Sequence, residues 1–598
     1  MFGRWFTVLP GVSPAARPVA TELTGDGAEV LSWSGERPWI VGRAGCDRVT
    51  SVSVGQCQVA VIGDHQVEAA ELTARVRAVR PSGHWDRLLG IPGSYHLVVR
   101  DGSTVWLFGD AAGLRPVFAT TCSGMVFLGS RARPLATLLG RPVPDAEYLA
   151  AQLLAPAPPL ALAESGISPY QGVAALPPGA AARVDAAGVL HTEVWWTAPD
   201  DDMRADDGSV LLREALSEAV AARCGADGPV AVELSGGLDS SALSALTFEQ
   251  VGPRTLNLSR AGADPANDDL RWARLMTATQ PGAGHRVLAT DQVPVQFDGW
   301  QEPFPLDSPG PTAASPDRAR FLWQQAVDGG ARVLLSGKGG DELLLPPLTY
   351  LASSPRLLTH RHLRGWAALR GTRMREVRAE AAHPGPYRAA IASALGGAMG
   401  WESGPWAPGW LSATARRRLE ERLREAAASA VPLHDRPHQH ASVAALRAMA
   451  RWNRLQADAA STFGVRMAYP FQDRAVLDAA LSVRGDHRRS PYAFKPLLTG
   501  ALRGSLPDQV LARRTKGGYN ADDRAAARRH RRGLAALLLH DSALADHGLV
   551  DPAVLAPAVR AWANAEGQDE LMLLMTLNAE VWARTAEGRP LTEGAALC

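Results

Sequence analysis

The sequence predicts a mixed α/β protein of two domains, α+β in its first part and α/β in its second. Its 598 residues are too many for a single hydrophobic core. Residues 1–197 contain short strand-like runs between turns, whereas residues 209–598 alternate strands with helices. We therefore expect an N-terminal domain with antiparallel sheets. The C-terminal domain should have a doubly wound parallel sheet with helical additions.

The first region is rich in short apolar runs of strand length, separated by Gly, Asp and Ser. A polar, acidic stretch at residues 197–208 then marks a linker. After it, apolar residues at helical spacing predict a helix that Ser209 caps and that ends near Arg223. The strand-like runs are residues 58–62, 95–100, 104–108 and 125–128.

The C-terminal region begins with an apolar run of strand length at residues 229–234. An amphipathic helix is predicted around residues 270–279. Alternating strands and helices predict a parallel sheet whose ligand binds at the carboxyl ends of the strands. Further strands are predicted at residues 255–258, 285–288 and 332–335.

A glycine-bearing turn joins the first of these strands to a helix that we expect to begin at Ser240. Residues 234–241 read Leu-Ser-Gly-Gly-Leu-Asp-Ser-Ser. Glycines let the backbone approach a phosphate closely, and backbone amides and a helix N-terminus add positive charge. The sequence has no Walker A motif. Ser-Gly-Gly-x-Asp-Ser instead resembles the pyrophosphate loop of ATP pyrophosphatases, which adenylate their substrates.

A second glycine turn follows the last predicted strand. Residues 335–342 read Leu-Ser-Gly-Lys-Gly-Gly-Asp-Glu, and paired acids at a helix start suit a Mg²⁺ site that faces a phosphate loop. This pattern is similar to the Ser-Gly-x-Gly-x-Asp-Glu of asparagine synthetases. The resemblance implies that Asp239 and Asp341 hold the metal.

Lysine is rare in this chain, so the positions that retain it are informative. Of 62 basic residues only Lys338, Lys495 and Lys516 are lysine, which makes each a candidate for a place that needs a compact ammonium. Phe494–Leu498 and Arg513–Tyr519 are similar to the two lysine segments at the end of the asparagine synthetase domain. The resemblance implies that Lys495 and Lys516 approach the α-phosphate and the departing pyrophosphate.

Three positions depart from the asparagine synthetase pattern. Lys338 stands where those enzymes have Glu and β-lactam synthetase has Tyr, and we expect it to contact phosphate or a substrate carboxylate. In a later motif Gly464 stands for Glu and Gln472 for Leu. Arg466 and Asp473 of the same motif are kept.

The N-terminal region is similar to the glutaminase domain of asparagine synthetases, an antiparallel αββα sandwich of the Ntn type. In that family a cysteine directly after the initiator Met is the nucleophile, but here that position is Phe2. We therefore expect a glutaminase-like domain at residues 1–197 without a nucleophile, unable to release ammonia from glutamine. The similar segments are residues 109–118, 129–131, 176–179 and 194–196.

These resemblances imply an ATP- and Mg²⁺-dependent ligase at residues 209–598. It would adenylate a carboxylate, release pyrophosphate and let an amine displace AMP, with Lys338, Lys495 and Lys516 as catalytic residues. The residues implied in ATP binding are Leu234, Ser235, Gly236, Gly237, Asp239, Ser240, Ser241, Asn257, Ser336 and Gly337.

The source of the amine separates the alternatives. The missing cysteine favours the branch in which one substrate closes an amide on itself, as β-lactam synthetases and lasso-peptide macrolactam cyclases do. We favour the cyclase, which joins the N-terminal amine of a precursor peptide to an Asp or Glu side chain. A leader-recognition protein and a leader peptidase would be its partners. Asparagine synthetase-type amidation with ammonia and small-molecule cyclisation remain alternatives, and a non-catalytic scaffold is a reading from a different class.

Composition argues against several other classes. A formal net charge of +1 argues against a general nucleic-acid role and against electrostatic membrane docking. Five cysteines without a Cys-x-x-Cys pair indicate reduced thiols in a cytoplasmic protein. The sequence shows neither a signal peptide nor a transmembrane helix.

Two smaller groups of residues have an ordinary structural interpretation. His434, His438 and His440 have a spacing that a metal could use, but we expect a solvated, proline-rich loop there. A tryptophan group in the helical insert is more typical of a core than of a binding groove. Its members are Trp366, Trp401, Trp406 and Trp410.

Overall fold

A computed structural model describes residues 3–10, 28–34, 37–225, 228–262, 264, 266–396, 400–402, 404, 406–514, 517, 520–563 and 570–591. Over these residues the chain forms two antiparallel sheets and one parallel sheet, with helices around them. The prediction of a mixed α/β protein that contains a parallel sheet is confirmed.

Two six-stranded sheets lie in the first third of the chain, and their strands pair antiparallel. The strands are β1 Trp5–Val8, β2 Glu29–Ser34, β3 Arg37–Arg43, β4 Arg48–Val54, β5 Cys57–Asp64, β6 Ser94–Asp101, β7 Thr104–Phe108, β8 Phe118–Cys122, β9 Met125–Gly129, β10 Val173–Ala175, β11 Ala180–Val184 and β12 Leu190–Val194. The first sheet has the order β10-β8-β9-β1-β3-β2 and the second β12-β11-β7-β6-β5-β4.

The alternation of side chains along β5 arranges these sheets in layers. Ala60 and Ile62 pack against residues of the first sheet. Their neighbours Val59 and Val61 point to the other face, where they pack with Leu72 of the helix at residues 69–79. Because successive strand residues face opposite sides, one apolar run supplies both the interior between the sheets and the outer helix layer.

A five-stranded parallel sheet forms the centre of the C-terminal part. Its strands are β13 Val230–Glu233, β14 Thr255–Arg260, β15 Gly284–Leu288, β16 Val333–Leu335 and β17 Arg466–Ala468. The order is β15-β14-β13-β16-β17, so the chain order reverses between β13 and β16. In an open parallel sheet this reversal opens a crevice at the carboxyl ends of the two strands.

Helices cover both parts of the structure. Their bounds are α1 Ala69–Val79, α2 Ala132–Thr137, α3 Ala146–Gln152, α4 Leu160–Ala163, α5 Ala205–Ala221, α6 Leu238–Val251, α7 Asp269–Thr277, α8 Pro316–Asp328, α9 Gly340–Leu344, α10 Arg356–Arg370, α11 Met374–Glu380, α12 Tyr387–Ala392, α13 Ala413–Ser429, α14 Pro437–Ser461, α15 Arg474–Leu481, α16 Gly485–Arg488, α17 Pro496–Ala501, α18 Asp508–Leu511, α19 Asn520–Leu539, α20 Ala543–Asp546, α21 Pro552–Ala563 and α22 Glu570–Glu587. Among the described residues, none of these helices combines the length and the apolar character that a bilayer crossing requires.

The predicted strands are all present, with ends displaced by at most two residues. Two helices begin earlier than the sequence predicts. Helix α5 begins at Ala205, because Asp206 and Asp207 favour a helix N-terminus, and the Ser209 hydroxyl inside it donates to the Leu497 carbonyl. Helix α6 begins at Leu238 rather than Ser240.

The expectation of solvated histidines in residues 434–440 is wrong. His438 and His440 lie in the first turn of α14 with 1% and 0% exposure. The Nε2 atom of each histidine is hydrogen-bonded to a carboxylate oxygen. The distance is 2.8 Å from His438 to Asp201 and 3.2 Å from His440 to Glu402. The described residues contain no group of three or more His, Cys, Asp or Glu side chains arranged for a metal.

The tryptophan group is mainly core, as the sequence predicts. Trp366, Trp401 and Trp410 are buried, and Trp410 donates its Nε1 hydrogen to Thr576 Oγ1 at 3.0 Å. Trp406 is 57% exposed.

Candidate active site

The two glycine turns meet at the carboxyl ends of β13 and β16, where Val232 lies in register with Leu335. They pack so closely that larger residues would collide. A Cβ atom on Gly340 would lie 2.6 Å from Asp239 Cγ, and one on Gly337 would lie 3.1 Å from the Ser240 amide nitrogen. Glycine at these positions therefore lets the second turn contact the carboxylate of the first.

The first turn is held in shape by its own hydroxyl groups. The Ser240 hydroxyl donates to the Gly237 carbonyl at 3.0 Å and accepts from the Ser235 amide at 3.2 Å. Gly236 has φ +77°, and a Cβ atom there would lie 2.3 Å from the Asp269 carbonyl oxygen. A left-handed conformation and close backbone contact both require glycine.

Lys495 connects the two turns through its ammonium group. Its Nζ lies 2.6 Å from Asp239 Oδ1 and 2.6 Å from Asp341 Oδ1. The lysine is 1% exposed, whereas the side chains of Asp239 and Asp341 are 17% and 40% exposed. A buried cation thus holds together two carboxylates that still face solvent.

The backbone of Lys495 explains how its side chain reaches this position. Lys495 precedes α17 with φ +42°, and Pro496 occupies the first helical position. A non-glycine residue in the left-handed region is uncommon and is found more often at functional sites.

Arg513 is a site residue that the sequence analysis did not single out. Its guanidinium donates to the Gly236 carbonyl at 2.6 Å, to Asp268 Oδ1 at 2.9 Å and to Asp269 Oδ1 at 2.5 Å. Asp269 Oδ1 also accepts from the Gly517 amide at 2.9 Å. Arg513 and Gly517 are therefore both bound to Asp269, and Arg513 also to the first turn. In the sequence, only its position suggested a role, because Arg513 is the first residue of the second lysine segment.

Two cavities adjoin the turns. The first, of about 280 Å³, is lined by both turns together with Asp239, Asp341, Lys495 and Arg513. The second, of about 620 Å³, shares Glu233, Ser235 and Lys338 with the first and extends to α8 and α14. A larger, mostly apolar cavity therefore shares part of its wall with a small charged one.

The family model for asparagine synthase matches residues 211–584, which is more than half of the chain and includes both glycine turns and Lys495. The chain belongs to the asparagine synthase family.

One curated relative is the carboxyethyl-arginine beta-lactam-synthase of Streptomyces clavuligerus, 27% identical over 262 residues. The matched segment covers 42% of this chain and 46% of that protein, so it spans about half the length of the relative.

Two solved structures share only weak likeness with the chain. An allosteric regulatory enzyme of purine biosynthesis is 11% identical with a TM-score of 0.20, over 56% of this chain and 83% of that one. The glutamine phosphoribosylpyrophosphate amidotransferase of B. subtilis is 11% identical with a TM-score of 0.19, over 57% and 71%.

Within this asparagine synthase-family chain, most residues predicted to bind ATP lie together. Ser235, Gly237, Asp239, Ser240, Ser336 and Gly337 line the smaller cavity. Leu234 and Gly236 belong to the same turn and are buried. Ser241 is fully buried, and its hydroxyl has no hydrogen-bond partner within the described part of the chain.

Asn257 lies apart from this group. Its Oδ1 accepts from the Ser244 hydroxyl at 2.7 Å and its Nδ2 donates to Gln280 Oε1 at 2.8 Å. Gln280 in turn donates to Ser244 at 2.9 Å, which closes a buried triangle behind the sheet residues. The side chain of Asn257 is thus engaged in holding β14 to α6.

The three lysines have different places. Lys495 lies between the carboxylates, and exposed Lys338 donates from Nζ to Gln456 Oε1 at 2.5 Å. Lys516 lies outside the described residues.

The donor set is compatible with Mg²⁺. Asp239 and Asp341 offer carboxylate oxygens, the ligand type that Mg²⁺ prefers, and in the structure they surround a cation, the Lys495 ammonium. Mg²⁺ commonly takes one or two carboxylates and completes its octahedron with waters and phosphate oxygens. Asp239 and Asp341 are therefore sufficient as the protein ligands of one Mg²⁺ ion.

Glu342 follows the second acid and is electrostatically distinct. Burial raises the pKa of its carboxyl group, and the neighbouring Asp341 carboxylate acts in the same direction. The site thus contains two carboxylates paired with an ammonium and a third acid that holds its proton more tightly than usual.

Proposed function

We propose that this protein is an ATP-dependent, AMP-forming carbon–nitrogen ligase that activates a carboxylate as an acyl adenylate. The observation that supports this most is the convergence of Asp239 and Asp341 on Lys495 Nζ, at the mouths of two glycine turns where the strand order reverses. Such a place concentrates groups that bind phosphate and neutralise developing charge.

The chemistry proceeds in two balanced steps. A carboxylate oxygen of the substrate attacks the α-phosphorus of ATP, and the bond between the α-phosphorus and its bridging oxygen breaks to release pyrophosphate. An amine then attacks the acyl carbon, the bond to the phosphate oxygen breaks, and AMP leaves with the electron pair. The amine loses a proton as the amide forms.

Chain residues would bind and orient in both steps. The backbone amides of residues 235–240 would surround phosphate oxygens, and Lys495 and Lys516 would neutralise charge on the α-phosphate and the pyrophosphate. Mg²⁺ held by Asp239 and Asp341 would supply Lewis-acid neutralisation of phosphate oxygens. Lys338, at the junction of the two cavities, would contact phosphate or a substrate carboxylate.

The amine would come from the substrate itself. We propose two domains, a glutaminase-like domain at residues 1–197 and the ligase at residues 209–598, with Phe2 in place of the nucleophile. Without glutamine-derived ammonia, an intramolecular amine fits best. The substrate we propose is a lasso precursor peptide, whose N-terminal amine would close a macrolactam with an Asp or Glu side chain. A leader-recognition protein and a leader peptidase would then be partners.

A second candidate is cyclisation of a small molecule to a β-lactam. The relative from Streptomyces clavuligerus favours it, because its name places that chemistry in a protein similar to this chain. The cavity of about 620 Å³ falls within the size range of small-molecule sites.

Product analysis tests the proposal. The protein is incubated with Mg·ATP and with linear peptides, carboxyethyl-arginine or aspartate plus ammonia, and AMP, pyrophosphate and product masses are measured. AMP formation together with loss of one water from a peptide supports the macrolactam cyclase. Loss of water from the small molecule favours the second candidate, asparagine formation favours simple amidation, and no AMP with any carboxylate rejects the ligase.

A further inference from the structure

One face of helix α14 presents arginines to the N-terminal part of the chain. Arg447, Arg451 and Arg454 are spaced by four and three residues, so they lie along one side of the helix. Together with Arg115 they line a cavity of about 70 Å³, which we call the arginine pocket. None of the residues around it borders the two cavities at the glycine turns. The arginine pocket is therefore a separate place in the molecule.

Two of these four arginines already have carboxylate partners. Arg447 donates to both carboxylate oxygens of Glu164, at 2.9 and 3.0 Å. Arg115 contacts Asp47 at 2.8 Å and Asp64 at 3.4 Å. Glu164 is the only acid among the described residues that line the pocket, and Arg447 already engages it. The charges of Arg115 and Arg447 are thus compensated within the protein.

Arg451 and Arg454 differ from this pair. Neither guanidinium has a hydrogen bond or an ion pair with any residue that the structure describes. Arg454 is 6% exposed, and its Cζ lies 6.0 Å from the centre of the Phe118 ring. Its Nε is fully buried, whereas its Nη atoms retain accessible surface. Since Arg454 lines the pocket, the Nη atoms are the ones that a bound group would contact.

Two cations so placed are unfavourable without a counter-charge. Burial lowers the pKa of the Arg451 guanidinium, and the nearby charge of Arg454 acts in the same direction. The Glu164 and Glu402 carboxylates offset this shift only in part. A charge removed from water is costly unless an opposite charge and hydrogen bonds compensate it. An anion that contacts both guanidinium groups would supply both.

The size and the charge of the pocket select among anions. Its volume of about 70 Å³ lies far below the ~300 Å³ at which sites for small organic molecules begin, so a small ion fits better than a metabolite. A phosphate group carries about −1.5 to −2 charges at neutral pH, which matches two uncompensated arginines. Guanidinium groups also match the geometry of phosphate oxygens. Acetate and chloride carry one charge each.

We propose that Arg451 and Arg454 form a binding site for a phosphate-sized dianion between helix α14 and the N-terminal sheets. The anion accepts hydrogen bonds from both guanidinium groups and neutralises them. It thereby stabilises the contact between the two parts of the chain. The site does not depend on the proposed ligase chemistry, and its ligand is distinct from a nucleotide at the glycine turns.

Calorimetric titration of the full chain with inorganic phosphate at constant ionic strength tests the site. Wild type should bind phosphate, and acetate much more weakly. Arg451→Met and Arg454→Met keep an apolar side chain and should each raise the Kd for phosphate at least about 10-fold, the loss expected for a hydrogen bond to a charged group. Arg375→Met is the matched control, because Arg375 is exposed on α11, and it should leave Kd unchanged.

A further variant separates this site from phosphate binding at the glycine turns. Lys495→Met alters the turns and should leave phosphate affinity at the arginine pocket unchanged. A phosphate signal that Lys495→Met abolishes and Arg454→Met retains would overturn the proposal. The same holds if wild type binds no phosphate, or if acetate binds equally well.

Thermal unfolding gives an independent readout. Without phosphate, Arg451→Met and Arg454→Met should have a Tm equal to or above that of wild type, because each removes a charge that has no partner. Arg447→Met leaves Glu164 without its cation and should lower Tm. Added phosphate should raise the Tm of wild type more than that of the Arg451 and Arg454 variants, since bound ligand stabilises the folded state and the general salt effect is shared. An equal rise in all three proteins, or a lower Tm of both variants without phosphate, contradicts the site.

Discussion

Lys495 illustrates how much of the site depends on one side chain. It occupies a left-handed backbone position and is buried, and its ammonium contacts carboxylates from two turns that are distant in sequence. An ammonium is a compact charge that can face several oxygens at once, whereas a guanidinium is planar and needs a forked arrangement. In a chain whose other cations are almost all arginine, the lysine is thus explained by geometry.

Replacing Lys495 tests this explanation. Lys495→Met and Lys495→Arg should both lower turnover by about 100- to 1,000-fold, the usual loss for one contact that stabilises charge in the transition state. The measurement is AMP formation under saturating ATP and substrate. Because Asp239 and Asp341 remain partly exposed to water, circular dichroism should show a folded protein. Near-normal turnover of Lys495→Arg would contradict the need for an ammonium.

Gly340 gives a second residue-scale prediction. A methyl group there would lie 2.6 Å from Asp239 Cγ, so Gly340→Ala should displace the carboxylate and reduce AMP formation by at least about 10-fold, in the lower part of the range for site geometry. Gly90→Ala is the matched control, because a Cβ atom at Gly90 meets nothing within 4 Å. Equal activity of the two variants would mean that the contact between the turns is not needed.

The proximity of residues could be predicted from sequence where a short motif determines the neighbourhood. Asp239, Asp341 and Lys495 lie in compact patterns next to strand ends, and the structure brings them together. Arg513 was not singled out, because its importance depends on contacts with a segment more than a hundred residues away. Spacing along the chain carries no information about such contacts.

At the scale of elements, helix α14 contacts several parts of the molecule. The helix runs from Pro437 to Ser461 and is buried on more than one side. Arg447 pairs with Glu164 at 2.9 Å, and Asp458 accepts from Arg4 at 3.2 Å and from Arg131. The same helix therefore contacts the N-terminal sheets and supplies a wall of the larger cavity.

Asp458 supports a prediction about stability. Removing its carboxylate in Asp458→Ala leaves Arg4 and Arg131 without this anion in a buried setting, which typically costs about 3–5 kcal/mol. The free energy of unfolding from denaturant titration measures this cost. Glu380→Ala removes the exposed partner of Arg370 and should change it by less than about 1 kcal/mol. Equal effects would contradict a buried ionic anchor.

Element prediction was accurate for strands and weaker for helices. Strands such as β7 are bounded by turn residues, so their ends are visible in sequence. Helix α5 begins before its apolar face does, since its first turn is acidic. The histidines of α14 looked solvated because polarity near Pro437 suggested a loop, whereas distant carboxylates make their burial possible.

At the scale of the whole molecule, the N-terminal and C-terminal parts share one core. Leu9, Phe127 and Leu149 belong to the same buried cluster as Leu212 and Trp582. Sequence composition predicted a boundary at residues 197–208 but could not show that apolar residues on both sides pack together. The N-terminal sheets thus pack against the C-terminal region and help to support it.

Buried histidines predict how the stability of the whole molecule depends on pH. Burial lowers the pKa of His96 from 6.5 to about 3, and it also lowers the pKa values of His65 and His438. Below pH 6.5 the unfolded chain therefore binds protons that the folded chain does not, and stability falls as pH falls. Each such histidine contributes a slope of at most about 1.4 kcal/mol per pH unit.

Titration of unfolding between pH 7.5 and 5 measures this dependence. Burial raises the pKa values of Asp110 and Asp473, so their protonation acts in the opposite direction, and the comparison with a variant that retains both groups isolates the histidine. His96→Gln keeps a donor for the Pro116 carbonyl, which His96 Nε2 contacts at 2.8 Å, but removes the titrating ring. Its free energy of unfolding should fall less steeply with decreasing pH than that of the wild type. An identical slope in both proteins would show that folding does not lower the pKa of His96, which would contradict its burial as a cause of the pH dependence.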